Sequence, residues 1–436
     1  MTTSTRTGGR AATQGVIPGR FALSVGKPSI PEPAGFAWTS LASVARLESG
    51  HTPSRSRSDY WDGTIPWIGI RDATANHGRV ITDTEQHVTQ LGLDNSSARL
   101  LPAGTVCLSR TASVGYVVTM GVPMATSQDF VNWVCGPGLS SRYLHYILLG
   151  EQESVRRFAH GTTHQTMYYP EAKALHALLP KRSVQDAISE VLRALDDKIA
   201  ANERTVATAL DLAAALHSPA VDPDLSPITL GELADIGALQ LGDGYRTKRS
   251  EHGKPGLRIL RAGDVRAGRI FPDGDDFVSE AFRPQIGKKA SQAGDILLTT
   301  KGTVGRVAVV PRDVEQVVYS PQVCYFRIAD AEVIDPGYLA GWFLSADLQA
   351  QAELRMYKSD MAPYINLQDI RTLRVSLPPI DEQRRQGAAQ SALLDIQARA
   401  HSESRKLAEL LHTLLPTLMS GGLRVKDAEG VVEEVV

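Results

Sequence analysis

Cysteine is scarce in this chain of 436 residues. Cys107, Cys135 and Cys324 are odd in number, far apart and form no CxxC pair, which argues against both a disulfide framework and a zinc site. A reducing, cytoplasmic setting is therefore expected. No apolar run approaches the ~18 residues that a membrane span needs, so no membrane contact is expected. Net charge is also nearly absent, a formal −2 from 46 Lys and Arg against 48 Asp and Glu. Any affinity for nucleic acid must then come from local concentrations of basic side chains.

Catalytic signatures are missing too. There is no GxxxxGK[ST] phosphate loop, no glycine-rich nucleotide loop, and no Asn-Pro-Pro or Pro-Cys step of a DNA methyltransferase. The string PDGDDFVSE (272–280) has the carboxylates of a nuclease cluster without the lysine that should follow, and reads as a solvated acidic turn of Asp273, Asp275 and Asp276. HGTTH (160–164) spaces two histidines four apart, but Gly and β-branched Thr between them oppose the helix that would aim both at one metal. No catalytic residue and no metal ligand is assigned.

What the chain does have is an internal repeat. SLASVARL (40–47) aligns with TLGELADI (229–236), GRV (78–80) with GRI (268–270), and AGTVCLSRTASVGYV (103–117) with AGDILLTTKGTVGRV (293–307), at offsets of 189 to 190 residues. The last pair reads as a strand, a polar tip containing Arg110 or Lys301, and a returning strand opened by Gly115 or Gly305. Each half then reaches a Leu-Pro step, at 178–180 and 376–379, and enters a long helix.

The first helix carries Ile188, Leu192, Leu195, Ile199, Asn202, Val206, Ala209, Ala213 and Leu216 at alternating spacings of four and three, a heptad seam with one polar member suited to fixing register. Pro219 and Pro223 stop it. The second keeps the alternation at Leu407, Leu411, Leu414 and Leu418 until Gly421 and Gly422. Neither seam can be buried alone, so the two helices are expected to pack as an antiparallel pair with the globular domains at opposite ends.

The expected fold is thus α+β, mixed α/β, with two similar globular domains joined by two long helices in an antiparallel coiled coil with a pseudo-twofold internal repeat. The boundaries are a disordered tail at 1–34, domains at 35–182 and 220–380, helices at 183–219 and 381–420, and an acidic tail at 421–436. The tail at 1–29 contains Arg6, Arg10 and Arg20 but reads as a solvated extension.

Basic residues concentrate between 241 and 306, where 13 Lys and Arg face 8 acids. Arg246, Lys248, Arg249 and Lys254 lie in the glycine-rich string GDGYRTKRSEHGK, a loop able to follow a phosphate backbone, with Arg261, Lys301 and Arg306 beyond it. In the first half, GHTPSRSRSDYWDG (50–63) sets Arg55 and Arg57 beside Tyr60 and Trp61, and Arg71, Arg110 and Thr111 follow. Arginine offers two-pronged donors to guanine or phosphate, whereas Trp61 and Trp67 are expected to anchor the loop to the core.

The segment WTSLASVARLESGHTPSRSRSDYWDGTIPWIGIRD (38–72), the paired hairpins, LDDKIAANE (195–203) and LPPIDEQRRQ (377–386) together resemble the specificity subunit of type I restriction-modification systems, over nearly all of 35–422. The family's Pro-Pro-x-x-Glu-Gln step matches Pro378, Pro379, Glu382 and Gln383. In the first half only Pro180 and Gln185 of that step survive. The resemblance implies two target recognition domains, each reading one half of a split site in double-stranded DNA. It also implies spacer helices that dock two methyltransferase subunits, with restriction subunits joining the assembly. On this reading the chain is not an enzyme. S-adenosylmethionine, ATP and Mg²⁺ belong to its partners, and the setting is phage defence in a prokaryotic cytoplasm, near the nucleoid. The competing readings are a free-standing nuclease or DNA methyltransferase with unrecognised motifs, and a coiled-coil scaffold that never binds DNA.

Overall fold

The computed structural model describes residues 15–111, 113–160, 165–216, 226–266, 268–356 and 363–435. The chain divides into two compact units, one holding the residues up to 199 and those from 406 onward, the other holding 200–405. Each unit therefore contains one globular domain and a stretch of both long helices, Arg182–Leu216 and Ile380–Met419.

In the first unit a five-stranded sheet runs in the order Ala45–Ser49, Phe130–Cys135, Val106–Ser109, Val117–Met120, Arg79–Ile81. A three-stranded sheet centred on Trp61–Ile68 adjoins it. The helix Ser141–Gly150 lays Tyr143, Leu144, Ile147 and Leu148 into the core beside Trp133 and Phe158. The second unit repeats the plan with four strands, Leu239–Asp243, Val323–Ile328, Ile296–Thr299 and Val307–Val309, a three-stranded sheet centred on Gly256–Leu260, and the helix Pro336–Leu344. The central strands are buried on both faces: Val106 and Leu108 join the core under the helix while Cys107 and Val118 join a second core on the other face, and Ile296 and Leu298 are divided from Leu297 in the same way in the second unit.

The seam residues are placed as follows. Ile188, Leu192, Leu195, Leu407, Leu414 and Leu418 are buried in one core of the first unit, with Ile199 and Leu411 half-buried against it. In the second unit Asn202 and Val206 are buried; Asn202 Nδ2 donates to Glu403 Oε2 at 2.8 Å and Gln390 Nε2 donates to the Ala213 carbonyl at 2.7 Å. Ascending positions on one helix meet descending positions on the other, so the pair is antiparallel. Leu216, counted in the seam, is instead exposed. Pro219 and Pro223 lie outside the described residues.

Gln185 and Gln383 perform the same task where the helices begin. Gln185 takes the Ser140 N–H and donates to the carbonyls of Gly138 and Pro180, while Gln383 takes the Asp335 N–H and donates to Val333 and Pro378. The glutamine, more than the glutamate beside it, ties the sheet to the helix. Gln185, which the first half keeps together with Pro180, thus has the same bonding task as Gln383.

Two boundaries need correction. Of the expected tail at 1–34, residues 15–34 are among those described and belong to the first domain: Leu23–Val25 pairs with Leu175–Pro180, and Ala22, Leu23 and Val25 are buried. The buried carboxylate of Glu151 accepts the N–H groups of Arg20, Phe21, Ala22 and Leu23 at 2.7 to 3.1 Å. The polar composition of the first 29 residues hides the apolar residues of FALSV (21–25). The acidic tail at 421–436 contains the helix Val425–Glu433, whose Ala428 and Val432 are buried; only its outer face is acidic.

Candidate nucleic-acid interface

Strand register gathers several loops on one edge of each domain. In the first unit Ser49 pairs with Val131, and Ser109 with Phe130, so the loop after residue 49, the hairpin tip after 109 and the turn before 130 share that edge. In the second, Asp243 pairs with Cys324 and Thr299 with Val323, with the same result. The tips are held by matching bonds. Arg110 N–H donates to the Asp129 carbonyl and Met167 N–H to the Arg110 carbonyl; Thr300 N–H donates to Gln322 and Ile365 N–H to Thr300. Ser109 and Thr299 each donate a hydroxyl four residues ahead, and each accepts the N–H of Tyr116 or Arg306. Gly115 and Gly305 close both tips at φ of 94° and 87°, a region that costs an ordinary L-residue.

The first rim is braced and its cations are mostly engaged. Trp67 is buried and its indole N–H reaches the His51 carbonyl at 3.1 Å; Trp61 stands edge-on to it at 5.2 Å and donates to the Ser54 carbonyl. Both therefore anchor the loop. Arg55 lies over the Trp61 ring at 3.9 Å and bonds Gln86. Arg57 forms a fork with Asp59 at 2.7 and 2.9 Å, which raises the arginine pKa and lowers that of the aspartate. Arg71 is exposed and 3.4 Å from Glu85. Arg110 is half-buried, its Nε on the Gln128 carbonyl, and burial lowers its pKa. Thr111 bridges to Thr166.

The second rim differs in charge. Arg246, Lys248 and Arg249 are exposed on the loop after Asp243, and no ion pair engages them among the described residues. Lys301 is exposed on the tip and bridges through its backbone to Tyr364; Arg306 donates to the Val265 carbonyl. Lys254 and Arg261 are not brought into this group. Lys254 lies 3.6 Å from Asp275 and over Phe277, and Arg261 pairs with Asp276. Arg266 is 3.4 Å from Asp273. The acidic turn thus meets three of the cations counted in the local excess, and those three are less available to phosphate.

Sequence reasoning passed over Thr52 and Gln128, which bond each other across the first rim, and Gln322 and Tyr364 on the second. The repeat offset of 189 to 190 does not reach them, because SQD (127–129) and SPQ (320–322) lie 193 residues apart and pair Asp129 with Gln322. His164 lies outside the described residues; His160 Nε2 is 3.6 Å from Glu171. Among the described residues no group of three His, Cys, Asp or Glu is placed to hold a metal ion, and no helix is long and apolar enough to cross a membrane.

Two copies of one mixed α/β domain, each packed on part of a helix pair and each ending in a rim of polar loops, define a duplicated recognition protein. The sequence model of the "Type I restriction modification DNA specificity domain" family matches residues 33–210 and again 224–410, and the chain belongs to this family. The MjaIX specificity subunit of Methanocaldococcus jannaschii is 22% identical over 412 residues, 89% of this chain and 93% of that one. The HindI specificity subunit of Haemophilus influenzae is 28% identical over 127 residues, 29% of this chain and 27% of the relative. The crystal structure of the S subunit from M. genitalium shares the fold, with a TM-score of 0.53 at 18% identity over 90% of this chain and 98% of that one.

Proposed function

We propose that this chain is the non-catalytic reader of a type I restriction-modification complex, and that its two rims bind the two halves of a split site in double-stranded DNA. The observation that carries this is the duplicated rim: one backbone framework, held by the same bonds, presents different side chains in each copy. Arg246, Lys248, Arg249 and Lys301 are exposed cations on the second rim and would hold phosphates. Polar side chains such as Thr52, Gln128, Gln322 and Arg55 would read base edges, which carry the sequence information that phosphates lack.

The paired helices act as a spacer and as the dock for two methyltransferase subunits, with restriction subunits completing the complex in the cytoplasm, close to the nucleoid. S-adenosylmethionine, ATP and Mg²⁺ serve those partners. A helix of 35 residues is about 50 Å long, and DNA advances ~3.4 Å per base pair, so helix length translates into a fixed gap between half-sites.

The test is selection of bound fragments from random DNA by the complex with its methyltransferase. Two conserved blocks at one constant gap are expected, with a shorter gap or no binding when one heptad is removed from each long helix. An unchanged gap in that variant contradicts the spacer. Turnover of DNA by the purified chain alone, given Mg²⁺ and S-adenosylmethionine, contradicts the non-catalytic role.

A further inference from the structure

The repeated strings GRV (78–80) and GRI (268–270) share a left-handed glycine and differ in their surroundings. Gly78 and Gly268 both lie at positive φ, 76° and 72°, and each turn joins the sheet edge through a bond to the neighbouring strand, Gly78 N–H to Val117 and Val309 N–H to Gly268. In the first unit the turn packs on its own domain: Leu149 lies against Gly78, and His145 Nε2 donates to the Gly78 carbonyl at 3.1 Å. Val80 beside it is 62% exposed.

In the second unit the same turn enters the helix pair. A Cβ at Gly268 would stand 2.6 Å from Leu210 Cδ2 on the central helix and 3.1 Å from Gln397 Oε1 on the C-terminal helix. Ile270, the counterpart of Val80, is 2% exposed. The Arg269 side chain is only 9% exposed and forks: Nη1 donates to the carbonyl of Ala398, inside the C-terminal helix, at 2.9 Å, and Nη2 holds Asp313 at 2.9 and 3.1 Å. Phe271 stands edge-on to His401, one helical turn further along, at 5.3 Å.

A guanidinium has a rigid, planar set of donors, so a fork between a helix carbonyl and a carboxylate of the domain fixes a rotation as well as a distance. We infer that Arg269 is a positioning residue that locks the second recognition domain at one rotation on the helix pair and so holds the gap between the half-sites to a single value. This rests on the DNA-reading function proposed above. One base pair is ~3.4 Å of axis, so a small rotation at this pivot admits the neighbouring spacing. The first domain's turn packs on its own helix instead, through Leu149 and His145.

The experiment maps DNA methylation genome-wide in cells carrying the chain and its methyltransferase. Arg269→Met keeps the aliphatic stem and removes both prongs. Its half-site sequences should match those of the natural chain, while methylation at gaps one base pair longer or shorter rises roughly tenfold, as expected for loss of a charged hydrogen bond. Arg269→Lys keeps the charge toward Asp313 without the fork. It should broaden the gap less, and it gives the reading if the Met variant does not fold. A gap as strict as in the natural chain, in whichever variant folds, overturns the inference. A change in the bases of one half-site overturns it too, because Arg269 would then belong to the reading surface. A natural chain that yields no split motif overturns the DNA-reading function and this inference with it.

Discussion

The two rims are built alike and charged differently. On the first, Arg57 is held by Asp59, Arg55 lies on Trp61, and Arg110 is half-buried against Gln128. On the second, Arg246, Lys248 and Arg249 project without ion partners among the described residues. The bonds common to both tips run through backbone groups and the Ser109 or Thr299 hydroxyl, so other side chains at the tips can be replaced without disturbing that frame, while the Trp61 and Trp67 indoles brace the first rim's loop. A duplicated protein with such a frame can keep its architecture while its two halves come to read different sequences.

The cores differ in the same way. Asp295, at the start of the strand leading to the second tip, is buried and accepts from both prongs of Arg327 at 2.7 and 2.6 Å and from the Tyr319 hydroxyl at 2.6 Å. Its counterpart Thr105 only donates to the Pro102 carbonyl. Asp295→Ala should give the largest effect, since it leaves a buried guanidinium uncompensated: a loss of about 3–5 kcal/mol confined to the second domain. Thr105→Ala should cost about 1 kcal/mol. Chemical denaturation followed by domain-resolved hydrogen exchange compares them, and equal costs would erase the contrast.

Acid separates the halves next. His145 is buried in the first unit, where its Nδ1 meets the Thr119 hydroxyl, and burial pushes its pKa down to about 4. Its folded pKa lies below the unfolded value near 6.5, so its neutral form contributes full stability above that value. The contribution is lost as the pH falls from about 6.5 toward 4, up to about 3 kcal/mol in all. His77 shifts the same way through burial, and so does half-buried His401 in the second unit, through burial and then Arg269. Melting from pH 7 to 4 should therefore weaken the first domain more, and His145→Gln should reduce that slope. A steeper loss in the second domain would reverse the assignment.

The smallest predicted change concerns the rims themselves. Replacing Lys248 and Arg249 by alanine should weaken DNA binding about tenfold and flatten the salt dependence of log K by about 2 if each touches one phosphate. Replacing Arg57, already held by Asp59, should change the slope less. An unaltered slope for the first pair means that these residues do not face phosphate.

Much of this was legible in the residues. Period and spacing exposed the repeat, the tips and the helix seam because each is written locally, in glycines and in apolar positions three and four apart. Partnership between distant segments was not. That Asp275 and Asp276 meet Lys254 and Arg261, or that Glu151 gathers the N–H groups of residues 20–23, depends on chain crossings that no window of sequence contains. The same limit made the basic stretch 241–306 look more available to DNA than its geometry allows.

The central claim is that each rim meets its own half of one site. Thiol-directed photo-cross-linking in the assembled complex tests it most directly, from Ser56→Cys on the first rim and Ser250→Cys on the second, both exposed positions. The account predicts cross-links from Ser56→Cys confined to one conserved block and from Ser250→Cys confined to the other, with the gap between them unlabelled. Cross-links from both positions to the same bases, or to no DNA at all, would contradict it.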